Sequence, residues 1–593
     1  MRKKLYISVL VFAAFGYMAG AQGFDPTVEV SRTYESTLKH TPKPIPDMAV
    51  PDSLLRFDLD FDYSVFDRPF KGTGDYKPYL LDLRPQPNAY RGKKLYLKAG
   101  LGYTMHPELD FVYSPEAGKK STVNIYANHR SYFGKNRYKS DDLKGVETDA
   151  GIFIHDADWT GFDSRTVIGV NGTTGLSFGE LFYNANYKGI MTKDGSRAEV
   201  LHIDKTNTSF NALEALAGLR GRAGEYNYSA ALSFGIGGEH SNTWEKNLGY
   251  TSVGFNGSIG KKLDDSNIAL DVHFENSSYT GHAKAHLGSW YVAPRYIFET
   301  DGLRLNLGVK IGGIFNSDVN WLGAPLNPHK SQIIYPDAYL AYLINPGDLE
   351  FYASATGGDN LTNYQQIKER DHFALPGATD NSAERINLRA GLRGNINQAF
   401  RYDVSAGYRN VASSVMYMFF ANNGRKTAFY NLSEPYLKAT FVYDRKPLLL
   451  EGDIQVKGSS VDIGERDLLY AYNYVCDMIF KPRTITGSVK ALYYWKSRIT
   501  GGITARFASK ANGEGFVYNA TGVYTDTGIS GTIQNYTSYL NGYLDLGLYG
   551  EYAVDRMVSV YGRISNLLNQ KYYGNTLVPV SGLYATIGLI INL

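Results

Sequence analysis

Phe400-Arg401-Tyr402-Asp403-Val404-Ser405-Ala406-Gly407-Tyr408-Arg409 is the stretch whose reading decides the fold. In a strand, successive side chains point to opposite faces. Phe400, Tyr402, Val404, Ala406 and Tyr408 then share one face, aromatic at both ends and aliphatic in the middle. That order fits a hydrocarbon band between two interfacial girdles. Arg401, Asp403, Ser405, Gly407 and Arg409 share the other face. In a soluble core those charges cost several kcal/mol each unless paired, whereas a hydrated lumen accepts them.

The same period of two recurs from Lys94 to the last residue. Leu95, Leu97, Ala99 and Leu101 alternate with Tyr96, Lys98 and Gly100; Leu303 through Val309 and Ile311 alternate with Arg304, Asn306 and Lys310. Ile386, Leu388, Ala390 and Leu392 alternate with Asn387, Arg389 and Arg393. The chain closes on Tyr584–Leu593, where Ala585, Ile587, Leu589, Ile591 and Leu593 line one face. These runs predict an all-β chain, a transmembrane antiparallel β-barrel of an outer membrane over residues 94–593. Its strand number should be even, about 16–22. Weaker runs at 163–170, 413–421 and 447–457 belong to the same set, and 357–383, 458–484 and 511–535 read as long extracellular loops.

Composition narrows the class. Mean hydropathy is −0.29, and no segment past the N-terminus approaches the 18 or so apolar residues of a spanning helix. A barrel escapes that requirement because only alternate residues touch lipid. The chain has 62 Gly, 48 Tyr and a single cysteine, Cys476, so no internal disulfide can form. The N-terminus reads as a signal peptide over 1–21: Arg2, Lys3 and Lys4, an apolar stretch from Leu5 to Phe15, then Ala19-Gly20-Ala21. Those three cations account for the formal net charge of +3, and the neutral remainder gives no support to nucleic-acid binding.

Residues 22–93 differ from the rest of the chain. Pro42, Pro44, Pro46, Pro51, Pro69, Pro78, Pro85 and Pro87 break them up, so an extended periplasmic or lumenal segment is expected. Within it Phe57–Tyr63 alternates, with Asp58, Asp60 and Asp62 on one face. A solvated strand face explains them better than a Ca²⁺ site, for the glycines and spacing of a cation loop are missing.

The C-terminal stretch Val558–Tyr573, with its Asn566-Leu567-Leu568-Asn569-Gln570-Lys571-Tyr572-Tyr573 turn, resembles the penultimate hairpin of TonB-dependent outer-membrane receptors. The Tyr- and Asn-rich style is similar to that of Bacteroidota barrels. The resemblance implies an energy-coupled receptor whose partners are outer-membrane lipid and a TonB-type energiser. Thr27, Val28, Glu29 and Val30 resemble a TonB-box strand that pairs with a partner's sheet edge. Residues 22–93 are shorter than that family's plug domain, so a full plug is not expected. The second reading is a non-transporting subunit of a multiprotein outer-membrane assembly, bound to other barrel or lipoprotein subunits.

Enzyme signatures are absent: no Gly-x-Ser-x-Gly, no His-Glu-x-x-His, no phosphate loop. His129, His273 and His372 read as polar wall residues rather than catalysts. No catalytic residue, metal site or cofactor is expected. The candidate functional residues are the lumen-facing charges Lys98, Arg304, Lys310, Arg389, Arg393, Arg401, Asp403 and Arg409. They attract anions, anchor an inserted segment or pair across strands. The aromatics Phe373, Tyr518 and Tyr524 are candidates for stacking on sugars.

Overall fold

A computed structural model describes residues 94–593, apart from 104, 119, 139–156, 195–205, 243–245, 265, 283, 317–331, 346–347, 375–379, 421–423, 463–475, 496–497, 526–527, 575–579 and 581. The signal-peptide stretch, the Pro-rich stretch with its aspartates, and Thr27–Val30 therefore lie outside the described residues.

The wall opens with β1 (Leu95–Gly102), β2 (Glu108–Tyr113), β3 (Ser121–Tyr138), β4 (Ala157–Gly175), β5 (Glu180–Asp194) and β6 (Thr206–Ala223). It continues through β7 (Tyr226–Ser241), β8 (Leu248–Leu263), β9 (Ser266–Gly281), β10 (Ala285–Glu299), β11 (Leu303–Asn316), β12 (Ile334–Asn345) and β13 (Leu349–Thr362). A short helix, α1 (Tyr364–Arg370), precedes β14 (Asp380–Ile396), β15 (Phe400–Phe420), β16 (Gly424–Arg445) and β17 (Leu448–Lys457). Then come β18 (Ser460–Asp462), β19 (Cys476–Phe480), β20 (Ile485–Trp495), β21 (Ile499–Ala508) and β22 (Ala511–Thr525). β23 (Gly528–Leu540), β24 (Tyr543–Ala553), β25 (Val558–Ser565) and β26 (Tyr584–Asn592) complete the chain.

Every pairing is antiparallel, and β26 returns to β1 through Tyr96↔Asn592 to Gly102↔Thr586. The result is a closed barrel of 22 strands. Strands β18, β19, β22 and β23 are not separate staves of it; they carry neighbouring strands past the wall. A single closed sheet leaves the backbone no unpaired edge, the condition for lying in lipid.

The faces follow the alternation. Val404 is 52% exposed and Leu388, Leu392 and Tyr408 are exposed beside it, while Asp403 is 6% exposed. Exposed Leu232, Phe234 and Ile236 on β7, Ile268 and Leu270 on β9, and Leu307 and Val309 on β11 extend the same outer belt. The weak runs are strands too, in β4, β15 and β17.

The seam is held by Glu108 on β2. It accepts from Tyr561 Oη at 2.5 Å and Arg563 at 2.7 Å, with Lys98 and Arg130 at 4.0 and 3.9 Å. The Tyr561 ring lies over Gly100 and Gly588, which face each other across the seam. A Cβ on Gly100 would sit 2.2 Å from the Tyr561 hydroxyl, so glycine is what lets the ring cross. The Asn566–Gln570 turn has an equally physical basis. Asn566 and Asn569 adopt φ near +50°, a region asparagine tolerates. Asn566 bonds Gln570 at both ends, at 2.7 and 3.0 Å, and its N–H donates to Asp545 at 3.0 Å.

Short turns such as 224–225, 300–302, 397–399 and 446–447 lie at the end that holds both termini of the sheet. The long connections lie at the other. Strands there outrun the 9–11 residues that cross a bilayer: β15 has 21 and β16 has 22. Past Ala412 the edge of β15 that paired with β14 is free, after a bulge at Ser413 (φ 49°). β19 takes that edge and pairs in turn with β22. The inner faces of this curl pack a small core of Val411, Met416, Tyr430, Leu432 and Ile479. The 511–535 stretch, expected as loop, is thus mostly the β22–β23 hairpin. β22 and β23 pair from Ala511↔Leu540 to Thr525↔Gly528, and β22 pairs with β19 on its other edge.

Candidate functional site: a loop on the inner wall

The connection after β13, expected as part of an extracellular loop at 357–383, begins with strand to Thr362 and then turns onto the barrel's inner face. Local sequence explains the turn of helix in it. Asn363 caps α1, its side chain accepting from Gln366 N at 2.9 Å, and Lys368 and Arg370 lie in the last turn, where cations suit the helix dipole. Tyr364, Ile367 and Lys368 fall on one side by helical spacing and all three are buried.

They meet side chains from β5 to β10 that alternate opposite to the outer belt. Tyr364 joins Ile190, Phe210, Leu248, Tyr250, Tyr279 and Leu287 in one cluster, with the Phe210 and Tyr364 rings edge-to-face at 6.3 Å. Tyr279 Oη donates to Gln365 Oε1 at 2.8 Å and accepts from Tyr364 N at 2.9 Å.

The charged groups are matched one by one. Lys368 Nζ donates to Glu239 Oε1 at 2.6 Å, Ala374 O at 3.0 Å and Thr208 Oγ1 at 3.2 Å. Both ion-pair side chains are 0% exposed. Tyr364 Oη contacts the other oxygen of Glu239; burial first, and the Glu239 charge second, push this phenol well above its ordinary pKa. Glu369 pairs with Lys188 on β5, and His372 lies 2.7 Å from Asp163 on β4. The loop therefore lies across the inner wall from β4 to β10 at the long-loop end.

The sequence-chosen charges sit elsewhere on the wall. Lys98 joins the Glu108 hub with its ammonium 5.1 Å from the Tyr561 ring. Arg304 pairs with Glu299 at 2.8 Å beside a short turn. Lys310 donates to Gly357 O at 3.0 Å. Arg389 pairs with Asp403 at 3.3 Å, and Asp403 accepts from Tyr352 at 2.7 Å. Arg393 bonds Tyr339 at 2.9 Å and pairs with Glu350. Arg409 meets Glu434 at 3.3 Å. Arg401 shares their face by register, near the 397–399 turn.

The histidines are bound into the wall: His129 to Thr166 and Ser131, His273 to Asn256 and against Tyr291. Phe373 lies within the inserted loop; the side chains of Tyr518 and Tyr524 lie outside the described residues. Among the described residues, no group of three or more His, Cys, Asp or Glu is placed to hold a metal ion.

The sequence reading missed Lys368, Glu239 and Lys188. The alternation of β7 and β5 is the signal that could have placed Glu239 and Lys188 on the lumen face, opposite exposed Ile236 and Met191. What paired Lys368 with Glu239 is a contact across 129 positions, and no local pattern encodes it.

No protein-family model matches the chain, and no curated protein sequence does. Solved structures do match. The FrpB iron transporter from Neisseria meningitidis superposes with a TM-score of 0.59 at 10% identity, over 85% of this chain and 81% of that one. The shared feature is the fold, a closed antiparallel β-barrel of the outer-membrane kind. The ferric-catecholate import receptor Fiu from Escherichia coli K12 matches at TM-score 0.57 and 7% identity, over 85% and 82%. The copper transporter OprC matches at 0.58 and 10%, over 85% and 80%. At such identities the likeness speaks to the fold.

Proposed function

We propose that this chain is a receptor-like barrel of the Gram-negative outer membrane. It binds a solute on its inner wall and passes it across, with the long-loop mouth closed at rest by residues 363–374. The observation that carries the reading is a receptor-type wall of 22 strands whose inner face is charged and whose inserted loop is held by matched charges rather than by the wall alone. The names of the similar structures, transporters and import receptors for iron, ferric catecholate and copper, support solute handling as the class. Energy coupling would run through Thr27–Val30 pairing with a TonB-type partner, and residues 22–93 would stay periplasmic or lumenal without forming a full plug. A proline at Val28 removes a backbone donor and should abolish uptake.

A second reading has its own support. A fully buried Lys368–Glu239 pair is a firm closure, and a permanently closed barrel suits an accessory subunit of an outer-membrane complex. Isolation in mild detergent separates the two. A retained small molecule with no stoichiometric protein supports the receptor. One fixed partner burying about 1,000 Å² or more, with normal growth of the Val28→Pro strain, overturns it.

A further inference from the structure

Lys368 uses all three of its N–H donors in the wall site. Two of its acceptors, Glu239 and Thr208, belong to the barrel, while the third, the Ala374 carbonyl, travels with the loop. Around them Phe210, Leu248 and Tyr250 give an apolar and aromatic collar, the surroundings an aliphatic stem needs beneath an ammonium head.

Among the described residues, Lys368 is the cation that pairs with Glu239. Lys188 keeps the wall carboxylate Glu214 beside it, although its other partner, Glu369, leaves with the loop. His282 faces Glu239 from the β9–β10 connection, and with the loop docked its burial lowers its pKa and favours the neutral ring. Withdrawal of the loop takes both the Lys368 ammonium and the Tyr364 hydroxyl from Glu239, leaving on the inner wall a carboxylate that a charged N–H donor binds strongly. The loop is thus a tethered occupant of a site whose chemistry the wall defines.

We propose that Glu239 and Thr208 form an ammonium-binding site of the lumen, filled in cis by Lys368, and that a solute bearing a primary ammonium on an aliphatic stem opens the mouth by taking Lys368's place. The inference rests on the receptor reading above and names the ligand class of that inner-wall site. It also sets a selectivity: a quaternary ammonium carries the charge but has no N–H for Glu239 or Thr208.

The test uses the full chain with Cys476→Ser, which removes the single cysteine, and Ala374→Cys as a reporter buried at the loop contact. The rate of labelling by an impermeant maleimide is followed in purified protein against n-butylammonium, with tetramethylammonium at equal ionic strength as control. The expected result is a saturable acceleration of about tenfold or more with butylammonium only. With Glu239→Gln added, labelling is fast from the start and indifferent to either cation. Should that variant fail to fold, Thr208→Val in its place raises the half-saturating butylammonium concentration about threefold or more. Equal effects of the two cations, no saturation, or a response unchanged by both wall variants overturns the proposal. Labelling reads loop release and not flux, so a barrel that transports yet fails here loses only the ammonium site. One that passes here and carries nothing loses the receptor reading.

Discussion

Glu239→Gln keeps the shape of the side chain and removes the charge that Lys368 meets. Lys368 would then be a cation with 0% exposure and only neutral acceptors: the amide oxygen of the substituted side chain, the Thr208 hydroxyl and the Ala374 carbonyl. Breaking a buried ion pair from one side costs about 3–5 kcal/mol, because the remaining charge is stranded. Against that stand the other polar ties of the loop: Tyr279 to Gln365 and to Tyr364 N, Glu369 to Lys188, and His372 to Asp163. At about 0.5–1.5 kcal/mol net for each hydrogen bond, they are of the same size as the loss. The loop should therefore undock for a large fraction of the time while the wall persists. Amide hydrogen exchange reads this directly, because Ile367 N and Asp371 N are bonded within the docked loop. A loss of about 3 kcal/mol is roughly a hundredfold fall in protection over 363–374, with β6 and β7 unchanged. Protection of the loop within about threefold of the parent would refute the claim that this pair holds it.

Val404→Arg places a charge in the middle of the lipid belt and should cost about 2–4 kcal/mol in a refolding titration. Gln455→Arg, on the lumen face of β17, should cost clearly less, and equal costs would contradict the face assignment. Ser405 is a poor control although it faces inward, since it is only 2% exposed and an arginine there is an overpacking change. His106, in the connection between β1 and β2, is stacked on Tyr584 at 4.4 Å. Burial, and beyond it Arg563, lower its pKa from the ordinary 6.5. The fold thus prefers the neutral ring. This contribution is fully present above pH 6.5 and is lost as pH falls through the lower folded value. Exchange at 103–107 should quicken below that pH, whereas a His106→Gln variant should show no such step. Asn566→Ala removes both side-chain bonds to Gln570 and leaves an alanine at φ near +50°. It should lower stability by about 1–3 kcal/mol, and a smaller loss would mean that the turn motif is not what fixes the last hairpin.

The wall was legible in sequence because lipid and lumen impose opposite demands on alternate residues. Phe400–Arg409 and Tyr584–Leu593 state both faces within one strand each. Glycines and tyrosines were legible only as composition; that Tyr561 crosses Gly100 and Gly588 depends on strands from the two ends of the chain. The rim was misread for a different reason. The 511–535 stretch forms the β22–β23 hairpin, which pairs through β22 with β19 instead of taking places among the 22 staves, and its Gly- and Thr-bearing sequence does not alternate cleanly. The inserted loop was hidden because its ties span 129 positions to Glu239 and 209 to Asp163. Lys368 in Tyr364-Gln365-Gln366-Ile367-Lys368-Glu369-Arg370 looks like one solvated charge among several. Asn363 as a cap and the absence of Gly and Pro over 364–370 are the local signals of a helix turn; they say nothing of the wall it faces, and the stretch read only as loop.

Single-channel recording of the full chain, with residues 364–374 either intact or replaced by a Gly-Ser linker, bears most directly on the claim that this loop closes a solute path. The intact barrel should show little or no conductance, and the replacement should give discrete, long-lived openings, since a loop can be exchanged without rebuilding the wall that carries it. Conductance that is the same in both proteins would contradict the account.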